Sequence, residues 1–80
     1  MGTSPIRFEP LAVDVRCTAD RLHVVLADGR EVSVPLAWFP RLQSATEDQR
    51  RQWRLIGRGV GIHWEAVDED IAVETLLRLS

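Results

Sequence analysis

At 80 residues, with 45% hydrophobic and 28% charged residues, the chain has the make-up of one ordinary globular domain, with no room for a second core. A chain this short buries only about 60% of the surface its unfolded form exposes, so its stability is modest. The formal net charge of −2 disfavours a dedicated nucleic-acid binder, and no apolar run reaches the ~20 residues needed to cross a bilayer.

Residues 1–10, MGTSPIRFEP, lack the apolar core of a secretory signal, which leaves the cytoplasm as the simplest location. Pro5 and Pro10 discourage a helix there. The segment reads as a partly flexible arm in which Ile6 and Phe8 are the residues able to pack, and residues 11–80 read as a single domain.

Ala12–Cys17 alternates, with Val13, Val15 and Cys17 on one face and Asp14 and Arg16 on the other, the pattern of a half-buried strand. Cys17 is the sole cysteine, so no internal disulfide forms, and its place in the alternation predicts a buried thiol. Thr18–Arg21 is a polar break, and Leu22–Ala27 is a second strand with Leu22, Val24 and Leu26 on one face.

Register decides the turn at Asp28–Gly29. A two-residue loop sets Val24 against Ser33 and Leu26 against Glu31, apolar against polar. A three-residue loop of Ala27, Asp28 and Gly29 sets Val24 against Val32 and Leu22 against Val34, with glycine at the left-handed position of a bulged turn. The three-residue loop is therefore predicted. The third strand, Arg30–Val34, ends at Pro35, and Leu36–Phe39 makes one helical turn halted at Pro40.

Thr46 and Gln49 have capping-box spacing, which predicts a short helix over Glu47–Trp53 with Arg50, Arg51 and Arg54 towards its end. Arg54–Gly57 and Val60–Trp64 read as a second small hairpin, and Asp68-Glu69-Asp70 as an acidic turn. Val73, Leu76 and Leu77 form the stripe of a closing helix over Val73–Leu79. The sum is an α+β domain: a small antiparallel sheet, a three-strand meander joined by a fourth and a fifth short strand, with two to three short helices on one face.

Taken together, DGREVSVPLAWFPRL, ATEDQRRQW, GVGIHW and DEDIAVETLL resemble the bacterial family catalogued as domain of unknown function 2442, over Val13–Leu79. The resemblance implies the same small α+β fold and carries no catalytic residues. It also implies a protein partner, because relatives are often encoded beside another small protein in an arrangement like a toxin–antitoxin pair. Some longer relatives add a helix-turn-helix domain, and none is expected within these 80 residues. Ala72 departs from the pattern, since many relatives place a capping serine before the last helix.

Each constellation that could carry chemistry or binding also has a plain structural reading. His63 and Glu65 share a strand face, and with Asp68 and Asp70 they form the set most like a metal site; acids before a helix are also favoured by its dipole without any metal. Gly57-x-Gly59-x-Gly61 lacks both the P-loop ending and a following helix, so a tight turn is the better reading. Ser33 lies mid-strand without a nucleophile elbow, and nothing in the sequence joins Cys17 to His63. No cofactor is implied.

Arg50, Arg51, Arg54 and Arg58 around Trp53 suit nucleic acid, but they equally complement a helix C-terminus in an acidic protein. Aromatic and arginine side chains dominate interface hot spots. Trp38, Phe39, Arg41, Arg50, Trp53 and Arg54 are accordingly the partner-binding candidates, for a protein partner or a second copy of the chain. The expected function is a non-enzymatic interaction module, with a nucleic-acid-binding regulator as the alternative and a metal-dependent enzyme behind it.

Overall fold

A computed structural model describes residues 9–80, so the expectations for the arm up to Phe8 lie outside the described residues. In chain order the elements are β1 (Ala12–Cys17), β2 (Arg21–Leu26), β3 (Glu31–Pro35), α1 (Pro40–Gln43), α2 (Glu47–Arg50), β4 (Trp53–Ile56), β5 (Gly61–Trp64), β6 (Glu69–Ala72) and α3 (Val73–Leu79). Single 3-10 turns lie at Leu36–Trp38, Gly57–Gly59 and Glu65–Val67. The fold is α+β, as expected, but the strands make two antiparallel meanders, β1-β2-β3 and β4-β5-β6. Helix α3 lies against both β3 and β6 and so bridges the sheets.

The first hairpin has the predicted register, with Leu22 opposite Val34 and Val24 opposite Val32. Leu26 N–H donates to Arg30 at 2.8 Å across a loop of Ala27, Asp28 and Gly29, and Gly29 takes a φ of 96°. An alanine there would be strained, whereas glycine carries no Cβ to oppose the left-handed backbone. Asp28 locks the turn. Its carboxylate accepts from the backbone N–H groups of Arg30 (3.1 Å) and Glu9 (2.9 Å) and lies 2.7 Å from the Arg30 guanidinium. Above all the Arg30 side chain, helped by those amides, holds the Asp28 carboxyl down to about 2. Because this folded value is depressed, the stabilisation is present above the ordinary carboxylate range and is lost as pH falls towards about 2.

Strand β1 departs from its alternation. Ala12 pairs with Leu26 and Asp14 with Val25, so Val13 is an extra residue in a β-bulge. The bulge turns Val13 outward, 52% exposed, and brings Ala12 into the core instead. Val13 therefore does not share the buried face with Val15.

The Leu36–Trp38 turn forms and stops before Pro40 as expected, with Phe39 non-helical between them, and Pro40 then begins α1 at its first position. Proline fits there because its missing N–H has no helical partner to lose. The Thr46–Gln49 capping box is present in both directions, at 3.1 and 2.9 Å. Helix α2 nonetheless ends at Arg50 instead of running to Trp53. Trp53 and Leu55 are half-buried while Arg54 and Ile56 point out, and this period of two makes β4.

The predicted second hairpin is β4–β5, with Trp53 opposite Trp64. Glu69 and Asp70, expected in a turn, lie in β6 opposite Trp64 and His63. The reversal occurs earlier, at Glu65–Val67, and Asp68 closes it in the left-handed region at φ 52°. Aspartate is among the few residues that tolerate that conformation.

One core joins both sheets. Leu22, Val24, Leu26, Val34, Leu36, Leu42, Ile62, Trp64, Val73 and Leu76 are all fully buried. Each contributes about 1.5–3 kcal/mol of apolar burial, which opposes the chain entropy of a small domain. Helix α3 starts at Ala72 without a side-chain cap, although the backbone there has the extended angles of a capping residue. Ala72→Ser is expected to stabilise the domain by about 0.5–1 kcal/mol, read as a higher urea midpoint with an unchanged slope.

Candidate functional site

The end of β1 and the segment from α2 into β4 face one another across a cleft of about 310 Å³, lined by Val15, Arg16, Cys17, Glu47, Arg50, Arg51 and Trp53. Alternation in β1 sends Arg16 to the solvent face and leaves Cys17 half-buried beside it. Helix α2 supplies Arg50, and Arg51 follows it directly. Trp53 begins β4, packs its ring partly on the core and leaves the rest to the cleft.

The arginines are held to different degrees. Arg50 donates through Nε to the Leu42 carbonyl at 2.9 Å and through Nη2 to the Gln43 carbonyl at 2.8 Å. It thereby caps the Gln43 carbonyl at the end of α1 and adds a second partner to that of Leu42, which Ala45 N–H also reaches at 3.1 Å. The Arg50 backbone oxygen in turn accepts from the Trp64 indole at 3.1 Å, so the core tryptophan fixes this wall. Arg51 reaches Glu47 only at 3.7 Å and Arg16 reaches Glu31 only at 3.6 Å, with both guanidinium groups mostly in solvent. Burial pushes the Cys17 thiol up, and the Arg50 charge acts against that shift.

The cleft thus gathers three guanidinium groups, one carboxylate, one thiol and half an indole. Of the six residues singled out for partner binding it holds two, Arg50 and Trp53. Trp38 is 46% exposed elsewhere, and Phe39 packs against the core. Arg41 donates to the Asp68 carbonyl at 2.6 Å and pins the turn before β6. Arg54 lies on the outer face of β4, 3.8 Å from Glu65. Val15, Arg16 and Cys17 are cleft residues that the sequence reading did not connect with α2. Nothing in a local pattern places β1 beside α2, since that pairing is made by the fold.

The metal-like set assembles in part. His63 lies mid-sheet on β5, between Arg54 on β4 and Asp70 on β6. Its Nδ1 meets the Asp70 carboxylate and its Nε2 lies 3.0 Å from Glu65, whereas Asp68 contributes only its backbone carbonyl, to Arg41. Two carboxylates on the two ring nitrogens suit the doubly protonated imidazolium. No group of three or more His, Cys, Asp or Glu side chains able to hold a metal ion is present among the described residues.

The Asp70 hydrogen bond chiefly, and Glu65 after it, raise the His63 pKa against the opposing effect of burial. Because the folded value lies above the unfolded one, this contribution is complete below about pH 6.5 and is lost as pH rises through the raised value. Stability is expected to fall across that window, and Asp70→Asn is expected to flatten the fall. Denaturation midpoints on either side of the window and an NMR titration of the His63 ring check both.

Residues 12–80 match the family described as protein of unknown function, DUF2442. The chain belongs to the DUF2442 family. A crystal structure of a protein of unknown function from Rhodospirillum rubrum ATCC 11170 shares its fold, with a TM-score of 0.76 and 30% identity over 89% of this chain and 88% of that one. No curated protein matches the DUF2442 chain. Among the described residues no helix is long and apolar enough to cross a membrane.

Proposed function

We propose that this DUF2442 chain is a non-enzymatic interaction module that binds a protein partner through the cleft between β1 and α2. The observation that carries this reading is the meeting of Arg16, Arg50, Arg51 and Trp53 around one concavity of about 310 Å³. Arginine and tryptophan are the side chains most often found at interface hot spots. Arg50 is preorganised by its two carbonyl contacts, which lowers the ordering cost on binding.

The His63 cluster supports the same reading from the other side. Both of its ring nitrogens are engaged by carboxylates, an arrangement that a surface ion-pair cluster accounts for without a metal. An antitoxin-like role, with the product of a neighbouring gene as the partner, is what the resemblance to relatives encoded in pairs suggests.

The test is co-expression with that neighbouring product. A stoichiometric complex that survives purification, and that the Arg16→Glu/Arg51→Glu double variant fails to form, is the expected outcome. Absence of a complex, or a complex indifferent to both charge reversals, would contradict the proposal.

A further inference from the structure

We infer that the cleft takes an extended acidic segment of a protein partner, which joins the first sheet as a strand beside β1. This rests on the reading above that a partner binds at the cleft, and it specifies how.

The hydrogen bonds of β1 show which of its backbone groups are free. At one end the Leu11 carbonyl accepts from Ala27 at 2.8 Å, and at the other Thr18 N–H donates to Arg21 at 2.9 Å. Opposed pairs in an antiparallel ladder alternate between bonded and non-bonded. Counting inward from Thr18–Arg21, the Cys17–Leu22 pair is non-bonded, Arg16–His23 bonded and Val15–Val24 non-bonded. Counting from Leu11–Ala27 through the bulge gives the same phase. The N–H and C=O groups of Val15 and Cys17 therefore point away from β2. The strand order leaves β1 at the edge of its sheet, and the cleft borders that edge at these two residues.

The edge is not free along its whole length, since β4 and the turn after it also lie beside β1. At the other end of β1 the Gly57–Gly59 turn packs so closely that a Cβ on Gly59 would lie 2.3 Å from the Ala12 carbonyl oxygen. An added strand thus has a defined stop, and its pairing spans Val15 to Cys17, about 10 Å of strand. Side chains on that strand would lie beside Arg16 of β1 and near Arg51, against the single lining carboxylate of Glu47. Opposite charges on facing strand positions are favourable, so acidic residues are selected there.

The edge also separates a peptide from a nucleic acid. Val15 and Cys17 together present two donors and two acceptors. A peptide backbone answers both kinds, whereas a phosphodiester offers acceptors alone. The chain's net charge of −2 favours the same choice.

The probe is a capped eight-residue peptide of alternating glutamate and valine, added to the full chain. Its controls are the same peptide with alternate backbone nitrogens methylated, and an oligothymidylate of eight nucleotides. Amide exchange of Val15 and Cys17 and the rate of Cys17 alkylation are the readouts. The acidic peptide is expected to slow both by at least about tenfold at saturation, and the N-methylated peptide and the oligonucleotide to have no such effect. Arg16→Glu/Arg51→Glu, two exposed positions whose fold is checked by circular dichroism, is expected to abolish the protection.

Equal protection by the N-methylated peptide would reduce the contact to charge alone and overturn strand addition. Protection by the oligonucleotide but not the peptide would replace the ligand class. No protection by the peptide at millimolar concentration would also overturn the inference. If the co-expressed complex still forms and is still lost in the double variant, the interaction reading stands and only the strand addition falls.

Discussion

Trp64→Ala is expected to leave most of the chain unfolded at 25 °C. Trp64 is the largest side chain fully buried in the core. It sits on β5, the central strand of the second sheet, with Trp53 and Glu69 as its neighbours across the ladder. Truncating a buried tryptophan costs about 3–5 kcal/mol, and a domain of this size seldom holds more than about 3–5 kcal/mol in all. The substitution also removes the indole donor from the Arg50 carbonyl, and with it the brace behind one wall of the cleft. Trp64→Phe keeps much of the volume and loses that donor, so it is expected to fold with a reduced urea midpoint. Circular dichroism across a urea series separates the two variants. A cooperative, near-native transition for Trp64→Ala would show that the core does not depend on this ring.

Gly59→Ala is expected to destabilise the domain by about 3 kcal/mol or more, far beyond the usual cost of adding a methyl group to a turn. Two effects coincide. Gly59 has a φ of 110°, a region L residues rarely adopt. Its new Cβ would also lie 2.3 Å from the Ala12 oxygen and 2.8 Å from the Ala12 nitrogen. Those atoms cannot retreat cheaply, because Ala12 is fully buried and paired with Leu26.

Gly57 provides the contrast. It also has positive φ, at 54°, but its added Cβ would meet only a side-chain methyl of Val60 at 2.9 Å, and Val60 is exposed. Gly57→Ala is therefore expected to cost about 1 kcal/mol. Comparing the two urea midpoints tests whether backbone closure over Ala12 is what the second glycine serves. Equal losses would contradict that.

Much of this fold was legible where local chemistry and global pairing agree. The Asp28–Gly29 turn, the Thr46–Gln49 box and the Val73–Leu76 stripe each carry their own physical constraint, and each is present as read. The misses share another cause. Val13 alternates correctly with Val15, yet the bulge expels it. Trp53 continues a helical stretch in sequence, but its ring is better buried beside Trp64 from a strand. The acids at Glu69 and Asp70 look like a turn and become a strand because Asp68 reverses the chain before them.

The site was harder to read than the fold for the same reason. Arg50 and Trp53 were visible as hot-spot residue types. The strand that completes their cleft, with Arg16 and the free edge at Val15 and Cys17, lies some thirty residues earlier and meets them only in space. Trp38 and Phe39 drew attention by type alone, and the fold separates them from the cleft.

The central claim, that a partner engages this cleft, is tested most directly by hydrogen exchange on the purified complex with the neighbouring gene's product. The account predicts protection concentrated over Val15–Cys17 and Glu47–Trp53, with Trp38–Arg41 unchanged. Protection at Trp38–Arg41 with the cleft left exchanging as in the free chain would contradict it.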